Sequence, residues 1–142
     1  MQIKIREATT PQEIAGCFAV MRQLRTHFED EAKFVEQVQR QRAEGLRIAF
    51  LEEAGGVRAV AGYRMLESLH AGRFCYVDDL VTDAARRSLG YGGKLFDWLV
   101  DQARLAECKK LELDSGVQRF AAHRFYLLKG MSISSHHFSL DL

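Results

Sequence analysis

The sequence predicts an α/β fold, an α+β mixed sheet with helices on both faces, in a single domain that spans residues 1–142. Three extended segments, at residues 46–53, 57–66 and 73–82, follow one another with turn signals between them, as in an antiparallel meander. A helical pattern, a strand pattern and another helical pattern come next, which is typical of a crossover in a mixed sheet. The 142 residues are 47% hydrophobic, enough to fill the core of one domain of common size.

The elements before the meander are predicted from alternation and helix signals. Residues 3–7 alternate between apolar and polar side chains, as expected of a first strand. Thr10 and Glu13 form a capping box and Pro11 occupies the first turn, so a helix begins there. Apolar residues at helical spacing extend this helix to Phe28. The remaining patterns predict a helix at 31–43, the meander, a helix at about 90–107, a strand at 109–114, a helix at 117–129 and a last strand or hairpin that includes Ile133 and residues 138–140.

Composition excludes several classes of function. The formal net charge is +1, so a general nucleic-acid surface, which needs a strong basic excess, is not expected. No apolar run approaches the ~20 residues that span a membrane, and the N-terminus lacks the apolar core of a signal peptide. Three cysteines far apart in the chain are expected to be reduced thiols in a cytoplasmic protein. The histidines, cysteines and carboxylates do not show metal-ligand spacing, so no metal is expected.

A glycine-containing basic loop is the strongest local signal. Residues 87–92 (RSLGYG) lie between a predicted strand and a predicted helix, where glycines let backbone N–H groups approach phosphate oxygens and the helix N-terminus adds positive charge. A Walker loop is rejected because Ser88 stands at the first glycine position and Leu95 at the hydroxyl position. A dinucleotide fingerprint is disfavoured because Leu95 also replaces its third glycine.

The loop and its surroundings resemble the GNAT family, the Gcn5-related N-acetyltransferases. The motif Arg/Gln-x-x-Gly-x-Gly/Ala fits residues 87–92, residues 77–82 (VDDLVT) look like the family's fourth strand, and residues 121–131 look like its C-terminal A-x-x-F-Y-x-x-x-G-F segment. The resemblance implies a GNAT fold and an enzyme that transfers an acetyl group from acetyl-CoA to a primary amine, directly in a ternary complex. A non-catalytic acyl-CoA-binding or regulatory domain is the alternative.

The resemblance also implies which residues bind acetyl-CoA. The backbone of Leu80, Val81 and Thr82 would bind the pantetheine arm, and an N–H near Leu80 would face the thioester oxygen. Arg87 occupies the basic position of the motif. The backbone N–H groups that would meet the pyrophosphate are those of Ser88, Leu89, Gly90, Tyr91, Gly92 and Gly93.

Four side chains are candidates for proton transfer or for charge in the active site. By the resemblance, Asp78 takes the amine proton through water, Asp79 provides a negative charge for the substrate, and Tyr126 protonates the leaving thiolate. Adjacent residues of a regular strand point to opposite faces, so Asp78 and Asp79 are not expected to touch. The alternative for either aspartate is that it caps a strand end or pairs structurally with an arginine, and Asp114 is a rival base.

The acceptor is an amine on either a small molecule or a protein. By the resemblance it enters beside residues 25–31, where Glu29, Asp30 and Glu31 could extend an acidic pocket around Asp78 and Asp79. A helix N-cap is the alternative explanation for these acids. A homodimer is possible, because relatives often pair through their last strands.

Overall fold

The computed structural model describes residues 2–142, which divide into two compact units, residues up to Glu112 and residues 113–142. The strands are β1 (Ile3–Glu7), β2 (Arg47–Glu53), β3 (Gly56–Ser68), β4 (Gly72–Thr82) and β5 (Lys110–Leu113). The helices are α1 (Pro11–Gly16), α2 (Phe18–Leu24), α3 (Glu31–Arg42), α4 (Tyr91–Leu105) and α5 (Phe120–Leu128), with one 3₁₀ turn at Ala84–Arg86. That the whole chain forms one domain stays a prediction.

The five strands form one open mixed sheet in the order β1-β2-β3-β4-β5. Neighbouring strands from β1 to β4 are antiparallel, and β5 follows the α4 crossover at the edge. The predicted meander and the predicted mixed sheet are confirmed.

Helices cover both faces of this sheet, as predicted. On one face, residues of α1, α2 and α3 pack with Ile48, Phe50, Val60 and Val81 in a single buried cluster. On the other face, the ring of Tyr63 packs edge-on against Trp98 of α4 at 6.0 Å between centroids. The strands are therefore buried on both sides, and polar side chains within them need specific partners.

Two predicted elements differ in the structure. The first helix is broken at Cys17, whose amide bonds to Ile14 O at 3.0 Å, one residue short of the α-helical partner, while its thiol donates to Glu13 O at 3.4 Å. The apolar residues at helical spacing after this break lie on α2, which ends at Leu24, so Phe28 lies outside the helix.

The last strand predicted around Ile133 and residues 138–140 is not formed, since residues 131–142 carry no regular secondary structure. The alternation of apolar side chains there suits a strand, but a strand exists only where another one offers hydrogen bonds.

Candidate active site

A β-bulge in the middle of β4 shapes the candidate site. Val77 lies opposite Tyr63 of β3 and Asp79 lies opposite the preceding residue, Gly62, so Asp78 is an extra residue on β4. An extra residue reverses the alternation of side chains beyond it. The prediction that Asp78 and Asp79 point to opposite faces is therefore wrong, and both residues line one cavity.

Each of the two carboxylates is held by an arginine. The Nε atom of Arg25, at the end of α2, lies 2.6 Å from Asp79 Oδ1, and its Nη2 donates to the main-chain oxygen of Asp78 at 2.9 Å. Arg64 of β3 places Nε at 3.2 and 3.0 Å from the two Asp78 oxygens and Nη2 at 3.0 Å from Oδ2. Both aspartates therefore make the arginine pair that their alternative, structural role requires.

Asp78 titrates differently from an ordinary aspartate. Burial raises the pKa of its carboxyl above the usual value, the Arg64 guanidinium opposes this rise, and the neighbouring charge of Asp79 adds to it. A raised pKa makes this carboxylate a better proton acceptor than a free aspartate.

The cavity that contains the carboxylates has a volume of about 310 Å³. Its remaining wall is largely apolar, and Arg25, His27 and Phe28 of the expected acceptor wall contribute to it. Asp30 is accounted for by the helix-cap alternative, because its Oδ1 accepts from the Ala32 amide at 2.8 Å and caps α3.

The glycine loop enters α4 through residues in the left-handed backbone region. Ser88 and Gly90 have positive φ values of 67° and 85°, and Gly90 caps α4 without a side-chain hydrogen bond. The first intrahelical bond of α4 runs from Lys94 N to Gly90 O, so helical geometry leaves the N–H groups of Tyr91, Gly92 and Gly93 without an intrahelical acceptor. A side chain at Gly92 would place its Cβ 2.9 Å from Thr82 Oγ1, at the end of β4.

Side chains from elsewhere in the fold hold this loop. Gln23 of α2 accepts from the Ala84 amide at 2.7 Å and donates to Asp83 Oδ1 at 3.2 Å. The buried Tyr91 hydroxyl donates to Glu53 at the end of β2. The loop entry and the first turn of α4 are therefore both fixed to the sheet and α2, while residues 84–90 are exposed.

Tyr126 lies on α5, in the unit that contains residues 113–142. Burial raises the pKa of its hydroxyl, while the charge of Arg119 and a hydrogen bond to it act in the opposite direction. The phenol is therefore protonated at neutral pH and can donate a proton. His123 hydrogen-bonds to Gly116 O at 2.8 Å, and His137 lies 3.4 Å from Asp114 Oδ1.

The sequence reasoning missed three of the supporting side chains. Arg64 and Glu53 lie on strands whose partners become evident only once the register is known. Gln23 holds the loop from 61 residues away. A charged residue in an otherwise apolar strand is the one signal that could have indicated Arg64.

The fold is that of an acyltransferase of the type that the sequence resembles. A sequence model of the acetyltransferase (GNAT) family matches residues 12–131. The chain is 36% identical over 137 residues to the uncharacterized N-acetyltransferase YhdJ of Bacillus subtilis (strain 168), covering 96% of each chain.

Two further comparisons, one of sequence and one of structure, also match acetyltransferases. The aminoalkylphosphonate N-acetyltransferase of Salmonella typhimurium is 33% identical over 73 residues, which cover 51% of this chain and 47% of that one. Glucosamine-6-phosphate N-acetyltransferase from Arabidopsis thaliana superposes with a TM-score of 0.79 at 24% identity and covers 99% of both chains, which shows the same fold.

This chain belongs to the GNAT family, and it is an N-acetyltransferase. The family uses acetyl-CoA as its acetyl donor and acts on amine acceptors. Among residues 2–142, no helix is both long and apolar enough to cross a membrane. The same residues contain no cluster of three or more histidine, cysteine or carboxylate side chains suited to a metal ion.

Proposed function

We propose that this enzyme transfers the acetyl group of acetyl-CoA directly to a primary amine of a small molecule, with both substrates bound together. The observation that carries this proposal is the bulge in β4, which brings Asp78 and Asp79 to one cavity while the same strand leads into the glycine loop. No cysteine is placed by motif as a nucleophile, and burial raises the pKa of both Cys17 and Cys75 to about 12.

The residues around the loop fit the cofactor. Gly92 leaves no room for a side chain against Thr82, and Gly90 adopts a backbone conformation that favours glycine. We assign the pyrophosphate to Arg87 and to the N–H groups of residues 88–93, and the pantetheine arm to the backbone of residues 80–82. Acetyl-CoA, when bound, supplies a thioester whose acetyl carbon joins the amine as the carbon–sulfur bond breaks and the thiol leaves.

Asp78 is the proposed proton acceptor. A primary ammonium has a pKa of about 10, so it must lose a proton before its lone pair can attack. The raised pKa of Asp78 suits it to take that proton through a water molecule, and Arg64 keeps the carboxylate in one orientation. Asp79 is proposed to hold the ammonium before the proton leaves.

Tyr126 is the proposed proton donor to the departing thiolate. Its raised pKa keeps the hydroxyl protonated at neutral pH, as this role requires. Asp114, whose Oδ1 lies 3.4 Å from His137, stays a rival for the role of base. Its replacement by asparagine in the same thiol-release assay tests that role.

The cavity favours a small molecule over a protein as the acceptor. Its volume of about 310 Å³ lies at the lower end of the range for small-ligand sites, roughly 300–1,000 Å³. The name of the Salmonella relative describes an enzyme that acts on aminoalkylphosphonates, which are small amines, and this supports the same choice. The free cysteines suit a cytoplasmic enzyme. A homodimer stays a prediction.

The test is thiol release from acetyl-CoA with a panel of small amines. Asp78→Asn is expected to lower kcat about 100-fold, in the range of a lost general base, with unchanged acetyl-CoA affinity by calorimetry. Asp101→Asn, an exposed residue of α4, is the matched control and is expected to keep full turnover. Full turnover by the Asp78 variant would remove its assigned role.

Binding of acetyl-CoA without thiol release for any amine would instead favour the alternative, a non-catalytic acyl-CoA-binding domain. Absence of any affinity for acetyl-CoA or free CoA in folded protein would contradict the cofactor assignment itself.

A further inference from the structure

The aspartates of the cavity wall are both neutralised by arginines. Asp78 and Asp79 contribute two negative charges, and two positive charges in direct contact with them come from Arg25, which also lines the cavity, and from Arg64, which does not. An acceptor that carried only positive charge would have to separate an arginine from its carboxylate and leave that arginine without a counter-charge. Such unpaired charge is costly in a half-buried site. The wall is therefore poorly suited to a diamine or polyamine.

The two ion pairs differ in how easily they can open. Arg64 and Asp78 share three short contacts, and their side chains are only 23% and 20% exposed. Arg25 reaches Asp79 through a single nitrogen; the Asp79 side chain is 16% exposed, but that of Arg25, the partner that would have to leave, is 44% exposed. Arg25 also follows the last residue of α2, and its backbone is no longer helical. The Arg25–Asp79 pair is thus the one that an incoming molecule can exchange.

The other residues that line the cavity indicate the size and polarity of the rest of the acceptor. Apolar side chains make up most of it, with the amides of Gln37 and Gln41 at one side. These apolar residues are Met21, Phe28, Phe34, Val38, Leu46 and Ile48. Together with the volume of about 310 Å³, they indicate a compact molecule with an apolar part.

We propose, on the basis of the function proposed above, that the acceptor is a compact zwitterionic amine that exchanges partners with the Arg25–Asp79 pair. Its ammonium takes the place of Arg25 at Asp79, and its acidic group, a carboxylate or a phosphonate or phosphate, pairs with the released guanidinium. The number of charges of each sign at these two side chains remains balanced throughout. Guanidinium geometry suits either acid because it can donate two parallel hydrogen bonds.

Acetylation also explains how the product leaves. The ammonium gives up one proton before its nitrogen attacks the acetyl carbon, and the nitrogen gives up a second proton as the carbon–sulfur bond breaks and the thiolate leaves, so the amide nitrogen of the product carries no charge. Asp79 then has no cationic partner on the product, and Arg25 is the nearest cation that can return to it. The exchange that admits the substrate therefore reverses after the reaction.

Matched amines test this proposal. One series is built on phenylalanine, with its aminophosphonate analogue, phenylalaninamide and 2-phenylethylamine. The other has a two-carbon body, with β-alanine, 2-aminoethylphosphonate, ethylamine and 1,2-diaminoethane. In at least one series, kcat/KM for a zwitterion is expected to be at least tenfold higher than kcat/KM for the amine that lacks the acidic group. One charge-assisted hydrogen bond is strong enough to give a difference of that size. The carboxylate and phosphonate members distinguish the two acids.

The Arg25→Gln variant then assigns the selectivity to this side chain. It is expected to lower kcat/KM for the preferred zwitterion about 10- to 100-fold and to be partly rescued by Arg25→Lys. For the plain amine kcat/KM is expected to stay level or rise, because its ammonium no longer has to displace a guanidinium from Asp79. Arg22→Gln, on the same helix and outside the cavity, is the matched control. Acetyl-CoA affinity and melting temperature are measured for each variant to separate misfolding from loss of recognition.

Three results would overturn the proposal. Preference for plain amines or diamines over zwitterions in both series would do so while leaving the acetyltransferase function intact, because thiol would still be released. An equal loss for zwitterion and plain amine in Arg25→Gln would show a merely structural role. Absence of thiol release with every amine, despite acetyl-CoA binding, would contradict the proposed function together with this inference.

Discussion

Adding one methyl group at Gly62 would press directly on the Asp79 carboxylate. Gly62 faces Asp79 across β3 and β4, and a Cβ there would lie 2.6 Å from Asp79 Oδ2 and 3.5 Å from Leu46 Cδ1. The oxygen would have to retreat by about 0.8 Å to reach the 3.4 Å at which ordinary contact begins. The other oxygen of the same carboxylate, Oδ1, accepts the 2.6 Å hydrogen bond from Arg25, so a movement of that size would weaken this bond.

The expected effect of Gly62→Ala on stability is small because opposing contributions nearly cancel. Alanine in a strand gains about 0.5–1 kcal/mol over glycine. Overpacking costs about 1–3 kcal/mol, with the lower end expected because the atom that must move ends a side chain. The half-exposed Arg25–Asp79 pair contributes at most about 1 kcal/mol. Urea unfolding is therefore expected to show a loss of about 1 kcal/mol, while kcat/KM for the acceptor falls tenfold or more.

A double-mutant cycle with Asp79→Ala shows whether the carboxylate carries the effect. Without that carboxylate the new methyl group has space, so the stability cost of Gly62→Ala is expected to shrink by at least about 0.5 kcal/mol. Gly16→Ala, where an added Cβ meets nothing within 4 Å, is the control for a glycine replacement. An unchanged cost in the Asp79→Ala background, or full acceptor turnover by Gly62→Ala, would refute this reasoning.

Three further predictions concern the proton donor, the loop and a buried thiol. Tyr126→Phe is expected to lower kcat about 100-fold with unchanged acetyl-CoA affinity by calorimetry, and normal turnover would exclude it as the acid. Gly92→Ala is expected to weaken acetyl-CoA binding about tenfold through its 2.9 Å clash at the end of β4, whereas Gly16→Ala binds normally. Burial raises the pKa of Cys17 from 9.0 to about 12, so its thiol ionises at a lower pH in the unfolded chain than in the folded protein. Cys75, whose pKa is raised in the same way, makes a similar contribution. The fall in the free energy of unfolding between neutral pH and pH 10 should therefore be about 1.4 kcal/mol smaller in Cys17→Ala than in the wild type, as measured by urea titrations.

The regular parts of the fold could be predicted because burial repeats with a fixed period. The strand expected at residues 3–7 is β1, and that at 73–82 is β4 (Gly72–Thr82), one residue longer. The helix predicted at 31–43 is α3, ending one residue earlier. Alternation and helical spacing identify such elements without knowledge of their partners.

The arrangement of the candidate site could not be predicted, because it depends on a departure from that period. Alternation assumes that each residue of β4 faces one residue of β3, whereas Asp78 is additional. The arginines that hold the two aspartates are equally hidden, since Arg25 lies 54 residues from Asp79 and Arg64 lies 14 residues from Asp78. Only the strand register and the packing of α2 bring these charges together.

The bulge also connects the acceptor cavity with the cofactor loop. Beyond it, Asp79 and Val81 share the face that packs against α1–α3, which leaves Thr82 on the opposite face, against Gly92 of α4. Without the extra residue these assignments would reverse, placing the Thr82 hydroxyl in the apolar cluster and Val81 beneath the glycine loop. The carboxylates cannot be separated onto two faces without also moving the end of β4 that supports the first turn of α4. One inserted residue therefore determines both where the amine would lose its proton and where the phosphates would bind.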